Sequence, residues 1–246
     1  MDGTLFVVST PIGNLEDMTF RAIRTLKESS VIAAEDTRHT QKLFNYSQIV
    51  TPLTSYYDFN KEEKTPILLH RLHEGLPVSL VCDAGTPLIS DPGYYLVNRA
   101  IAENIPVVPI PGPSSILAAL CASGLPTDQF RFEGFVPKKP GAREKLFQGI
   151  KEQPGTLIFF DTQHRVLKTL SHLLEIAGNR QIVVARELTK LNEEFVRGTI
   201  EEVSHQLRQK PIKGEITLLI QGHSARKRKQ ADSPKPSRSL SHSLSE

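Results

Sequence analysis

Cysteine is scarce in this 246-residue chain: Cys82 and Cys121 are the only two, and neither has a C-x-x-C partner. A disulfide framework and a thiolate zinc site are excluded, and a reducing cytosol fits. Long apolar runs are missing too. No stretch approaches the roughly 18 apolar residues of a membrane span, and no basic-then-apolar leader opens the chain, so neither a span nor a secretory signal is expected. The dinucleotide loop G-x-G-x-x-G does not occur. Neither does G-x-x-x-x-G-K-[ST], so a nucleoside triphosphate site is not expected. No two histidines have H-x-x-x-H spacing. His70 and His73 are three apart with no third ligand in view, so no metal is expected.

What is present suffices for a buried core, with 39% hydrophobic and 23% charged residues. At about 150 residues per domain the length suits one large domain or two compact ones. The formal net charge of +3 is uneven: residues 223–246 hold six basic and two acidic side chains, which leaves −1 on the preceding residues. Bulk charge therefore gives the body no nucleic-acid signal, and only the basic Ser-rich end or a local patch supplies one. Residues 223–246 have almost nothing apolar to bury and are expected to be disordered.

Apolar β-rich runs alternate with helical patterns. Strands are expected at residues 4–9, 31–34, 78–82 and 107–110, and helices at 19–28, 37–44, 66–74 and 94–103. This alternation predicts an α/β domain with a mainly parallel sheet covered on both faces. An apolar helix at 116–122 precedes a loop-rich stretch, 124–143. A second set follows, with strands at 130–135, 156–160, 182–186, 194–197 and 215–220 and helices at 142–150, 165–176 and 200–207. Two α/β domains are predicted, 1–115 and 116–222, followed by the 223–246 tail.

Three turn-rich segments follow strand ends: Ser9-Thr10-Pro11-Ile12-Gly13-Asn14-Leu15, Cys82 through Gly93, and Ile110-Pro111-Gly112-Pro113-Ser114-Ser115. Ligands of open α/β sheets sit at the carboxyl ends of strands, and glycine lets backbone approach them, so a ligand cleft is expected there. Asp83 either meets a ribose hydroxyl or a cationic group, or forms an Asx-turn. Ala33-Ala34-Glu35-Asp36-Thr37-Arg38-His39-Thr40 gathers two carboxylates, an arginine and a histidine at a strand-to-helix junction. Asp36 reads as a helix cap and His39 as a surface or packing residue, whereas Glu35 and Arg38 require partners. Ala185-Arg186-Glu187-Leu188-Thr189-Lys190 repeats the theme, with structural salt bridges the competing reading. Lys213-Gly214-Glu215 reads as a turn.

Together, Pro11 to Leu15, Ala34 to Arg38, Asp83-Ala84-Gly85-Thr86-Pro87 through Asp91-Pro92-Gly93, Pro111 to Ser114, Arg186 to Lys190 and Lys213 to Glu215 closely resemble one family in order and spacing. It is the bacterial small-subunit ribosomal RNA 2′-O-ribose cytidine methyltransferases, of the tetrapyrrole-methylase-like (class III) fold. The likeness covers roughly residues 4–222. It implies two α/β domains with S-adenosyl-L-methionine in the cleft between them, in a cytoplasmic homodimer acting on 16S rRNA of the small ribosomal subunit, with no membrane partner. By the same likeness Pro11, Asp83, Gly85, Thr86, Ile89 and Ser115 line the cofactor from the first domain, and Phe160, Ala185 and Gly214 from the second. The acceptor it implies is the ribose 2′-hydroxyl of a decoding-centre cytidine, cytidine 1402. Many members continue into a small helical C-terminal module, where this chain has its Ser/Lys/Arg stretch.

A ribose hydroxyl is a poor nucleophile while protonated. Lys190 and Arg38 are expected to stabilise the developing alkoxide, and Glu35 to orient or deprotonate it. Lys138, Lys139 and Arg143 are expected on the rim against RNA phosphates. The alternatives are a same-fold methyltransferase acting on a tetrapyrrole or other small molecule, a non-catalytic ribosome-assembly factor, and a Rossmann methyltransferase.

Overall fold

Two five-stranded sheets organise the computed structural model, which describes residues 3–223. The first contains β1 (Leu5–Val8), β2 (Val31–Ala34), β3 (Leu53–Ser55), β4 (Val78–Val81) and β5 (Val107–Ile110), in the order β3-β2-β4-β1-β5. Every pairing in it is parallel. Helices α1 (Phe20–Glu28) and α2 (Thr37–Ser47) cover one face, burying Ala22, Leu26, Leu43 and Phe44. Helices α3 (Lys61–His73) and α4 (Tyr94–Ala102) cover the other with Leu68, Leu69, Leu72, Leu96 and Ala100. Burial from both sides explains why β2 and β4 read as unbroken small or apolar runs. β2, β4, β1 and β5 are neighbours in the sheet, so the loops after them emerge side by side.

The second sheet contains β6 (Phe130–Phe135), β7 (Thr156–Thr162), β8 (Gln181–Arg186), β9 (Glu194–Thr199) and β10 (Glu215–Gln221), in the order β6-β7-β10-β8-β9. Here only the edge pair β6–β7 is parallel, and the other three pairings are antiparallel. Helices α6 (Pro140–Ile150), α7 (Val166–Ala177) and α8 (Ile200–Arg208) cover one face around Phe147, Phe159, Leu170 and Val203. α5 (Ser115–Ser123) covers the other, setting Ile116, Ala119 and Leu120 against Ile158, Val183 and Leu219. Ile12 and Leu188 join that cluster, so the loop after β1 and the turn after β8 share one apolar base.

Three expectations need correction. The helix expected to begin at Pro66 begins at Lys61 and carries Pro66 inside it. Asn60 precedes the helix without capping it through its side chain, its Oδ1 accepting instead from the Tyr57 N–H at 2.9 Å, and the polar Lys61–Thr65 turn shows no apolar period. The three-residue edge strand β3 is missing from the sequence reading because it is too short to show alternation. Arg143 is no rim group. It is 2% exposed and its Nε donates to His172 Nδ1 at 3.0 Å. Lys138 and Lys139 are exposed, as expected. The disorder expected beyond residue 223 concerns residues outside those described. Among the described residues no helix is long and apolar enough to cross a membrane.

Candidate functional site

The loops after β1, β4 and β5 are stitched together at the carboxyl edge of the first sheet. Thr10 and Gly85 exchange backbone hydrogen bonds of 2.8 and 3.0 Å. Ser9 Oγ lies 3.0 Å from Thr86 Oγ1, which donates to the Pro113 carbonyl at 3.3 Å. Gly85 adopts φ +83, where a side chain would be strained. Leu88 and Ser90, with φ of 73 and 68, adopt that region without being glycine. Such backbone persists where surrounding structure over-determines it, and it concentrates at functional loops.

The second sheet presents the end of β7, the turn after β8 and the start of β10. Glu187 and Thr189 are also left-handed, with φ of 51 and 64. The Glu187 Oε1 accepts from the Glu215 N–H at 3.1 Å and from Lys190 Nζ at 3.2 Å. Lys190 Nζ also donates to Glu215 Oε2 at 2.9 Å. Two glycines make room for this triad. A Cβ on Gly214 would stand 2.1 Å from Glu187 Oε1, and one on Gly13 would stand 2.5 Å from Lys190 Cγ. The second contact carries Lys190 across from the second sheet onto the loop after β1.

Between these edges lies a cavity of about 710 Å³. Of the residues expected at the site, Glu35, Asp83, Gly85, Thr86, Ile89, Ser115, Phe160, Lys190 and Gly214 line it. Pro11, Ala185 and Arg38 do not. Pro11 and Ala185 are buried behind the lining. The Arg38 side chain is 90% exposed and its guanidinium pairs with Asp36 at 2.9 Å. That hydrogen-bonded partner holds the Asp36 carboxyl down at about 2.

The lining also includes residues that the sequence reading did not place there: Asp91, Ser90, Phe135, Asp161, Gln163, His164 and Glu215. Gln163 Oε1 accepts from the Gly214 N–H at 2.8 Å. Asp161 receives Thr169 Oγ1 at 2.6 Å and Arg165 at 3.1 Å. A readable signal existed for Asp91, which belongs to the recognised motif, but not for Gln163 or His164, which follow a strand that runs longer than its apolar part.

The two edges differ electrostatically. Burial, then the neighbouring Asp91 and Asp83 carboxylates, push the Glu35 carboxyl up. Burial and Asp83 push Asp91 up as well. Beneath them the buried Cys82 thiol is raised by burial and by Asp91, so it is no nucleophile. On the second edge, burial works against the charged form of Glu187, but the hydrogen bonds from Glu215 N–H and Lys190 outweigh it and the carboxyl falls. Burial likewise opposes the Lys190 ammonium, and Glu215 and Glu187 outweigh it to raise the group.

The fold and the sequence have clear relatives. The tetrapyrrole (corrin/porphyrin) methylase family matches residues 4–204. A protein of Halalkalibacterium halodurans named ribosomal RNA small subunit methyltransferase I is 53% identical over 221 residues, 90% of this chain and 76% of its own. The protein of the same name from Thermotoga maritima is 45% identical, with 89% of this chain and 99% of its own covered. Among solved structures, uroporphyrin-III C-methyltransferase from Thermus thermophilus complexed with S-adenosyl homocysteine superposes with a TM-score of 0.60 at 21% identity, covering 89% and 96% of the two chains. The family match and the 45–53% identity over about nine-tenths of the chain show that it belongs to the ribosomal RNA small subunit methyltransferase I family, within the tetrapyrrole (corrin/porphyrin) methylases.

Proposed function

We propose that this chain transfers a methyl group from S-adenosyl-L-methionine to the ribose 2′-hydroxyl of a cytidine in 16S rRNA, cytidine 1402 by family likeness. The observation that carries the reading is the cleft edge bearing Glu35, Asp83 and Asp91. These carboxylates form no ion pair among the described residues and two of them are held above their ordinary range. Such an edge suits a cationic ligand. The cavity volume suits one of nucleoside size. When bound, the donor supplies a methyl already activated on a sulfonium.

The chain's own residues do the rest. Asp83, Gly85, Thr86, Ile89 and Ser115 hold the donor from the first sheet, and Phe160 and Gly214 from the second. Pro11 and Ala185 back this lining rather than touch the ligand. Positioning the acceptor oxygen in line is the principal contribution of the site. Lys190, fixed by Glu187 and Glu215, stabilises negative charge growing on the 2′-oxygen. Glu35, whose raised carboxyl accepts a proton nearer neutrality, takes the hydroxyl proton. Arg38, turned to solvent, is assigned to neither task. Exposed Lys138 and Lys139 meet RNA phosphates on the rim. The reading carries with it a cytoplasmic homodimer and two domains parted near residue 115.

Mapping ribose methylation in 16S rRNA from cells with and without this protein tests the reading. Loss of one 2′-O-methyl cytidine on deletion is expected. An unchanged map, with labelled methyl instead reaching a porphyrin precursor, overturns it in favour of the small-molecule reading.

A further inference from the structure

β6 pairs with β7 in a broken register. Phe132 stands opposite Ile158 and Phe135 opposite Phe160, so Glu133 and Gly134 together face the single residue Phe159. Gly134 carries the extra residue with φ +74. An inserted residue reverses the side-chain alternation beyond it, which is how bulges re-aim side chains. In a regular strand, residues three apart point to opposite faces. Here Phe132 and Phe135 both reach Phe160, with ring centroids 4.8 and 5.3 Å away and interplanar angles of 60° and 63°. Val136 is thereby returned to the opposite, helix-covered face, where it is buried.

The consequence is an aromatic ring where the packing gives it no reason to be. Phe135 lines the cavity and remains 55% exposed, although Phe132 and Phe160 beside it are partly buried in the core under α5. The edge-to-face contact with Phe160 secures the ring's orientation. The bulge also abuts the strained loop after β4: a Cβ on Gly134 would stand 4.0 Å from Ser90 Oγ. Phe135 thus sits at the mouth of the cleft, beside the loop that leads to Asp91.

We infer that Phe135 is a stacking platform for an unstacked nucleobase of the RNA acceptor, set by the Gly134 bulge. The inference rests on the proposed RNA methyl transfer. Chemistry on one nucleotide requires that it leave its stack, and exposed aromatic rings are what proteins use to receive splayed bases. The ring gives affinity without sequence readout. It holds the nucleotide while Lys190 and Glu35 act on the sugar.

The test measures methyl transfer to small ribosomal subunits taken from cells lacking this protein, with donor affinity measured separately by calorimetry. For Phe135→Ala, KM for the subunit should rise roughly tenfold, while donor affinity, melting temperature and oligomeric state stay as in wild type. Phe135→Tyr and Phe135→Trp should restore KM to within about threefold, because any broad ring stacks. An unchanged KM in Phe135→Ala overturns the inference. So does a parallel loss of donor affinity, which would assign the ring to the donor pocket, or a change of oligomeric state, which would assign it to a subunit contact. Failure of the wild-type protein to methylate the subunits would instead overturn the proposed function.

Discussion

The two edges of the cleft carry three carboxylates apiece and treat them in opposite ways. On the second sheet Asp161 meets Arg165 at 3.1 Å, and Glu187 and Glu215 meet Lys190 at 3.2 and 2.9 Å. On the first sheet Glu35, Asp83 and Asp91 face the cavity with no ion pair among the described residues. On one edge every carboxylate is ion-paired, so that edge is preorganised. The other leaves negative charge for a ligand to compensate. Under the proposed function the contrast separates two tasks: the second edge fixes one lysine in space, and the first is assigned the cationic donor and the proton.

The largest expected effect comes from emptying the organised edge. Lys190→Ala should lower kcat by about 100-fold while donor affinity measured by calorimetry stays within about threefold. A near-normal kcat would break the division of tasks. Glu35→Gln should cost about tenfold or more in kcat and abolish the acidic limb of the pH–rate profile, which in wild type lies above the ordinary glutamate range because burial and Asp91 raise this group. Retention of that limb would remove Glu35 as the base.

Gly13→Ala disturbs Lys190 from the first edge. Its Cβ would meet Lys190 Cγ at 2.5 Å and the Leu188 carbonyl at 3.0 Å. A loss of about 1–3 kcal/mol in denaturant unfolding is expected, with kcat reduced and donor affinity retained.

The two edges should also respond to pH with opposite sign. Glu35 and Asp91 have folded values above their unfolded ones, so the folded state holds extra protons in that window and stability falls as pH rises through it. Glu35→Gln and Asp91→Asn should each raise the melting temperature at pH 8, with the gain vanishing only as pH falls below the ordinary carboxylate values, to about 3. Glu187 has a lowered value, so its contribution is present above the ordinary carboxylate range and lost as pH falls through the folded value. Glu187→Gln should therefore destabilise at pH 8 and have no effect in strong acid. Thermal scans at the two pH values check both signs. The smallest effect is expected at Arg38→Ala, within about twofold in kcat, because the pair it breaks is solvent-exposed.

Legibility in the sequence followed the same divide. The parallel first sheet was readable because strand, turn and helix repeat, and the carboxyl-end rule then put Glu35, Asp83, Gly85 and Thr86 in one place. Arg38 looked equivalent to Glu35. It is not, since Asp36 caps α2 and turns the next side chains outward along the helix. The second sheet was harder to orient, because apolar strands between helices look alike whether they run parallel or antiparallel. Arg143 reads as a surface group because arginine is seldom buried. The burial depends on His172, 29 residues away. Phe135 was invisible as a site residue: alternation assigns it to the core face, and only the register shift at Gly134 moves it.

Calorimetric titration of S-adenosyl-L-methionine into the folded chain probes the proposed donor cleft itself. Saturable binding of one donor per chain is expected, weakened about tenfold by Asp83→Asn, which removes a charged partner for the ligand. Absence of any binding heat, whether or not small ribosomal subunits are present, would contradict it.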